Sequence, residues 1–269
     1  MKIIENRIQS KRDTKIPVTI VEADLPSKLL LFVHGFKAGR TEDGRFLTVA
    51  RELSKRGVCS IMMGFPGCDE SDEDFINYSL RNCIDDIDAS YDYMMEHYGL
   101  DKNGVGMIGY SMGGRLTSLY IAEHPEITCI GLWAAALEDG FGDEGVFLGE
   151  DVNAMKKEAK EKGFCNFHNL FDDTWIRLSR ELIEDMEEKK PSVGLKNYKG
   201  AAILVHGDED STVPYRIAEL GYVSLKEAKE RKLYCVKGAD HGFGAWNDRP
   251  DLSKQLTENT VSFFKEHFA

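Results

Sequence analysis

Five short segments of almost unbroken apolar side chains recur along the chain: KLLLFVH (28–34), GVCSIMM (57–63), NGVGMIGY (103–110), ITCIGLWAAA (127–136) and AAILVHG (201–207). A strand with one face in water alternates apolar and polar residues. An unbroken run marks a strand covered on both faces. Between the runs the apolar period changes to that of a helix. Phe46, Val49, Ala50 and Leu53 share one side of residues 43–56, and Leu80, Ile84, Ile87, Tyr91 and Met94 or Met95 do so in residues 78–98. A further helix opens at SMGGRL and stops near Pro125, and another covers residues 250–267. KLYCVKG (232–238) adds a strand, and residues 3–22 read as two strands around the polar turn KRDTK. This alternation predicts an α/β fold: a mostly parallel sheet of about eight strands with helices on both faces.

One segment breaks the rhythm. Between Ala136 and Gly200 no strand pattern stands out, while DVNAMKKEAKEKG and DTWIRLSRELIEDMEEKK read as helical. A structureless loop of that length would be improbable in a compact domain. The expected organisation is an α/β core formed by 1–136 and 200–269, with 137–199 inserted as a helical cap. The 14 Phe, 10 Tyr and 3 Trp among 269 residues supply a core and argue against disorder.

The 34 basic and 46 acidic residues leave a net charge of −12, which disfavours nucleic acid and anionic membranes as partners. Residues 137–200 carry −5 of it, from 15 acidic and 10 basic side chains. None of the cysteines (Cys59, Cys68, Cys83, Cys129, Cys165, Cys235) lies within four residues of another, so there is no CxxC pair. No histidine pair has zinc-protease spacing, and neither a metal nor a cofactor is expected. The N-terminal stretch has no apolar core of a signal peptide, and no run is long enough for a membrane span. A reduced, cytoplasmic protein is the expectation.

The strongest chemical signal is Gly109-Tyr110-Ser111-Met112-Gly113-Gly114, a G-x-S-x-G motif between a predicted strand and a predicted helix. A serine on such a turn projects from the sheet edge beside the N–H donors of a helix N-terminus. An ordinary N-cap serine is the bland reading of the same residues. Three other strand ends bear on the choice. His34-Gly35-Phe36 follows one strand, and a backbone N–H there could join that of Met112 in an oxyanion hole. Gly207-Asp208-Glu209-Asp210 follows a later strand, and Asp240-His241 follows the next. The order Ser, Asp, His is that of a nucleophile-elbow hydrolase. Gly104–Gly109 also spells G-x-G-x-x-G, but it runs through the strand instead of opening a helix, so dinucleotide binding is not expected. His34 and His206 read as structural histidines near the site, and Asp240 as a turn residue.

Taken together, HGF, GYSMGG, GDEDSTVP and ADHGF resemble the α/β-hydrolase superfamily. Within it the motifs are most similar to small esterases of the cinnamoyl/feruloyl and monoglyceride-lipase-like type. The resemblance implies Ser111 as nucleophile, His241 as general base and acid, and Asp210, the second Asp of GDxD, as its partner in preference to Asp208. It implies the N–H groups of Phe36 and Met112 as the oxyanion hole. The expected activity is cleavage of carboxylic esters, hydroxycinnamates among them, through an acyl-enzyme. A thioesterase, a peptidase or amidase with the same triad, and a non-catalytic binding protein are the rivals. The expected partner is a small-molecule ester, neutral in preference to a polyanion, with monomer and homodimer both open. Phe141, Phe147, Phe164, Phe167, Phe171 and Trp175 are candidates for the pocket or for cap packing; Phe243 and Trp246 are candidates for the site wall or the core.

Overall fold

The structure, a computed structural model, describes residues 1–142, 146–169 and 172–269. Its centre is an eight-stranded sheet made of β1 (Lys2–Gln9), β2 (Lys15–Glu22), β3 (Lys28–Val33), β4 (Val58–Met63), β5 (Val105–Tyr110), β6 (Ile127–Trp133), β11 (Ala201–Gly207) and β12 (Glu230–Val236). The spatial order is β1-β2-β4-β3-β5-β6-β11-β12. β2 runs antiparallel to both its neighbours, and every pairing from β4 to β12 is parallel.

The unbroken apolar runs are explained by two core layers. In β3, Leu29, Leu31 and Val33 point into one layer and Leu30 and Phe32 into the other. Helices α1 (Arg45–Ser54) and α8 (Pro250–His267) cover the second layer with Phe46, Val49, Leu53, Leu252, Leu256 and Phe264. Helices α2 (Leu80–Tyr98), α3 (Met112–Tyr120) and α7 (Tyr215–Ser224) cover the first with Leu80, Ile87, Leu116 and Ile217. Ser79 caps α2 by accepting from the N–H of Asn82, which places the start of that helix where the apolar period begins.

The segment between β6 and β11 departs from the all-helical expectation. It contains α4 (Val152–Lys162), α5 (Arg180–Glu188) and α6 (Pro191–Asn197), but also two hairpins. A short one pairs β7 (Val146–Phe147) with β8 (Glu150–Asp151), and a longer one pairs β9 (Phe164–Asn169) antiparallel with β10 (Thr174–Ser179). The stretch DTWIRLSRELIEDMEEKK is therefore strand first and helix second. TWIRLS carries β-branched and aromatic residues that suit a pleated surface. Ser179 ends the strand and caps α5 by accepting from the N–H of Leu182. Cys165, Phe167 and Leu178 face inward and join Leu182, Ile183 and Met186 in the first core layer. Asp185 on α5 anchors the insertion by accepting from both the backbone and the guanidinium of Arg81 at 2.7–3.0 Å. Among the described residues no helix is long and apolar enough to cross a membrane.

Candidate active site

The parallel strands β3, β5, β11 and β12 all end on one edge of the sheet, where open α/β sheets place their ligands. The segments after these ends bring together residues that are up to 205 positions apart.

Ser111 stands between β5 and α3 with φ 53° and ψ −117°, a conformation that L side chains rarely adopt. Its N–H donates to Trp133 O at 2.8 Å and its carbonyl accepts from Gly114 and Ala136, so the turn is held from both sides. The flanking glycines have a steric cause. A Cβ on Gly109 would lie 2.3 Å from the carbonyl oxygen of Gly113, and one on Gly113 would lie 1.9 Å from that of Val33. The elbow is thus packed backbone to backbone against the end of β3.

His241 Nε2 lies 3.0 Å from Ser111 Oγ, and its Nδ1 lies 2.7 Å from Asp210 Oδ2. A carboxylate only accepts, so Nδ1 carries the proton and Nε2 presents a lone pair to the serine hydroxyl. Asp210 is saturated with donors. Its Oδ1 accepts from the N–H groups of Thr212 and Val213, and its Oδ2 also faces His206 Nε2 at 3.2 Å. Burial alone would raise the Asp210 pKa; the hydrogen bonds from His206 and His241 outweigh it and hold the group down at about 2. His206 donates from Nε2 to Val213 O at 2.7 Å and so braces the acid turn, as expected of a structural histidine. Asp208 is elsewhere: its carboxylate accepts from Lys237 Nζ and the N–H of Gly238. Asp240 accepts from the N–H of Gly244 and closes the turn after His241.

The loop after β3 brings Phe36 to the same place. His34 is fully buried, and its Nε2 accepts from the N–H of Phe65 at 3.2 Å. Nδ1 therefore bears the proton and donates to Gly35 O at 2.8 Å. In a planar trans peptide the Gly35 carbonyl and the Phe36 N–H point in opposite directions, so this bond also sets the direction of the Phe36 N–H. Burial pushes the His34 pKa down to about 4 and keeps the ring neutral. Met112 is the first residue of α3, and its N–H is one of those a helix leaves without an intrahelical acceptor. Phe36, Ser111 and Met112 line one cavity.

A family model described as "alpha/beta hydrolase fold" matches residues 28–146. A structure of Est1E from Butyrivibrio proteoclasticus with ferulic acid bound superposes with a TM-score of 0.77 at 20% identity, over 97% of this chain and 99% of that one. The α/β hydrolase GrgF from Penicillium sp. sh18 gives 0.76 at 14% identity, covering 100% and 99%. The esterase EaEST from Exiguobacterium antarcticum gives 0.68 at 20%, covering 97% and 100%. The chain has the α/β-hydrolase fold.

In this α/β-hydrolase structure the site opens into two lobes that meet at Phe36, Ser111, Leu148 and Thr212. One, of about 220 Å³, holds His241 together with Lys37, Asp43, Asn169, Asp172 and Trp246. The other, of about 110 Å³, is lined by Met112, Phe141, Phe147, Met186 and Val213, with Arg115 and Glu138 at its side. Of the insertion aromatics, Phe141 and Phe147 face this smaller lobe, Phe167 packs edge-on against Phe36, and Phe164 lies against Arg177. Trp175 is 70% exposed and stacks on His168, away from both lobes; Phe171 falls outside the described residues. Phe243 is fully buried in the core, whereas Trp246 walls the larger lobe beside His241.

Four contributors were not read from the sequence as parts of the site. Tyr110 stacks on His241 and donates to its carbonyl at 2.6 Å. Arg115, one turn into α3, donates to Gly140 O at 2.6 Å and lies 3.4 Å from the carbonyls of Ala136 and Met186, tying the start of the insertion to α5. Glu42 and Arg45 form a buried ion pair behind the loop that carries Phe36. Tyr110 and Arg115 had a signal in the motif itself, being neighbours of Ser111 in the chain. Glu42 and Arg45 had none, since a charged pair before a helix reads as an exposed N-terminus.

Proposed function

We propose that the protein is a serine hydrolase of carboxylic esters. The observation that carries this reading is the unbroken hydrogen-bonded line Ser111 Oγ, His241, Asp210, at 3.0 and 2.7 Å, ending on a serine held at positive φ. His241 Nε2 takes the proton as Ser111 Oγ attacks the ester carbonyl. Asp210 stabilises the resulting imidazolium without being protonated. The N–H groups of Phe36 and Met112 donate to the tetrahedral oxyanion. The imidazolium then protonates the departing alkoxide. Water, deprotonated by the same nitrogen, attacks the acyl-enzyme, and the acid leaves with Ser111 restored.

The two lobes suggest which half of the ester goes where. The leaving oxygen must meet His241, which lines only the larger, more polar lobe, so that lobe takes the alcohol. The acyl group is left with the smaller lobe between Phe141, Phe147, Met112 and Met186, which suits a short chain or one aromatic ring. The ferulic acid bound to Est1E, a protein of like fold, supports an aromatic acid among the candidates. Glu42 and Arg45 pair with each other, and Lys37 and Arg115 stand against Asp43, Asp172 and Glu138, which supports a neutral ester over a polyanion. Residues 137–199 act as the cap, because they supply Phe141, Phe147, Leu148, Asn169 and Asp172 to the lobes. Six unpaired cysteines, five of them buried, support a reducing compartment such as the cytoplasm.

A fluorophosphonate probe tests the central assignment. Wild type should be labelled and Ser111→Ala should not; equal labelling of the two would remove Ser111 from its role. A panel of aryl esters of graded chain length, methyl hydroxycinnamates, an acyl-CoA and aminoacyl amides separates ester from thioester and amide hydrolysis.

A further inference from the structure

Behind the site, Glu42 and Arg45 touch the segments that carry Phe36, Ser111 and His241. Glu42 Oε1 accepts from the N–H of Gly35 at 2.7 Å, directly before Phe36. Its Oε2 lies 3.2 Å from Arg45 Nη2. Arg45 donates from Nη1 to the carbonyl of Gly242 at 2.9 Å, directly after His241, and from Nε to the carbonyl of Glu42 at 3.0 Å. The same guanidinium lies over the Tyr110 ring, 5.0 Å from its centre, and Tyr110 in turn holds His241. Both charged side chains are almost fully buried.

The backbone is bent to make this possible. Glu42 and Asp43 have φ of 48° and 53°, followed by Gly44 at 82°. Two consecutive non-glycine residues in the left-handed region are sterically unfavourable and persist only where the surroundings over-determine them. Here the bend folds the carboxylate back beneath Gly35. A simple helix start would need neither the bend nor a buried charge.

We propose that Glu42 and Arg45 are a positioning pair that holds the oxyanion loop and the histidine loop at a fixed separation across Ser111. This rests on the serine-hydrolase reading above. Gly35 and Gly242 belong to segments more than 200 residues apart, and the pair is a direct polar bridge between them. Neither residue reacts. Their role is to keep the Phe36 N–H and His241 Nε2 aimed at the same reacting carbon, where a displacement of about 1 Å costs on the order of 100-fold in rate.

The test compares Arg45→Met, Arg45→Lys and Glu42→Gln with wild type on one aryl ester, with kcat normalised to active sites titrated by fluorophosphonate. Arg45→Met should lower kcat per titrated site by about 10- to 100-fold while KM stays within about threefold, because the pair acts on transition-state geometry and not on substrate binding. Arg45→Lys restores one donor to Gly242 and should recover part of the loss. Glu42→Gln keeps an acceptor for Gly35 but weakens the pairing with Arg45, and should fall between wild type and Arg45→Met. If Arg45→Met does not fold, the other two variants decide. Wild-type kcat per titrated site in the folded variants would overturn the proposal, as would losses confined to KM or to the folded fraction. If wild type itself is not labelled at Ser111, it is the underlying reading that fails.

Discussion

Asp210→Asn changes one atom and should reverse the polarity of the His241 bond. Asp210 Oδ1 accepts from two backbone N–H groups, so the amide oxygen of an asparagine must take that place. The NH2 group then occupies the Oδ2 position, 2.7 Å from His241 Nδ1 and 3.2 Å from His206 Nε2. Facing a donor, His241 Nδ1 becomes the acceptor and the ring proton moves to Nε2, which can no longer take the proton of Ser111. The expected loss in kcat is on the order of 10⁴-fold, the size of effect found when a triad histidine is held in the wrong tautomer. A stability cost accompanies it. The fall of the Asp210 pKa from 3.8 to about 2 corresponds to about 2 kcal/mol of preference for the ionised form in the fold. On that basis Tm should drop by roughly 4–8 °C in a chain of this size. The sign is that of a depressed carboxylate. The contribution is complete above the unfolded pKa and is lost as pH falls through the folded one, so wild type and variant should converge in stability between about pH 4 and 2. The assay is kcat for an aryl ester near pH 8, beside calorimetry at pH 7 and pH 3. Asp208→Asn is the comparison, since Asp208 holds surface contacts with Lys237 and Gly238 and should change kcat by less than about threefold. The reasoning is refuted if the two variants lose activity equally, or if Asp210→Asn retains more than about a tenth of wild-type kcat.

Three other outcomes follow from the packing and the titrations. Gly113→Ala would place a methyl 1.9 Å from a backbone oxygen of β3, so the elbow must shift; kcat/KM should fall by at least about 100-fold, with kinetics and a melting curve as the check. Buried His34, with its pKa at about 4 against an ordinary 6.5, favours the fold in its neutral form; urea titrations should show up to about 3 kcal/mol of stability lost as pH falls from 6.5 to 4, and a flatter profile for His34→Asn. Phe147→Ala opens the smaller lobe and should change the relative kcat/KM of aromatic and short-chain acyl esters by about 5- to 50-fold, whereas Trp175→Ala, on the exposed hairpin, should leave that ratio within about twofold.

The sheet was legible because its signal is local. A strand buried on both faces is apolar at every position, and all six unbroken or nearly unbroken runs from KLLLFVH to KLYCVKG became strands of the central sheet. The candidates Ser111, Asp210 and His241 were legible because each lies within five residues of the end of a strand whose apolar run marks it. The insertion was misread where charge hid the pattern. TWIRLS alternates in a strand whose outer face is solvated, and its Arg and Ser blend into the helix that Ser179 begins.

From the residues alone came the class of sheet, the elbow with its glycines, and a short set of strand-end residues. Tertiary structure decided which of those residues meet. Asp208 and Asp210 are equivalent as chemistry, but only Asp210 lies on the side of the turn that faces His241 and His206. Phe243 and Trp246 are three residues apart, yet one fills the core and the other walls the cavity. The contact of Glu42 with Gly35, and that of Arg45 with Gly242, leave no periodic trace. The physical reason is range. Backbone geometry imposes periods of about 2 and 3.6 residues on its own neighbourhood, while a hydrogen bond across the site depends on where packing has carried two loops that share no local pattern.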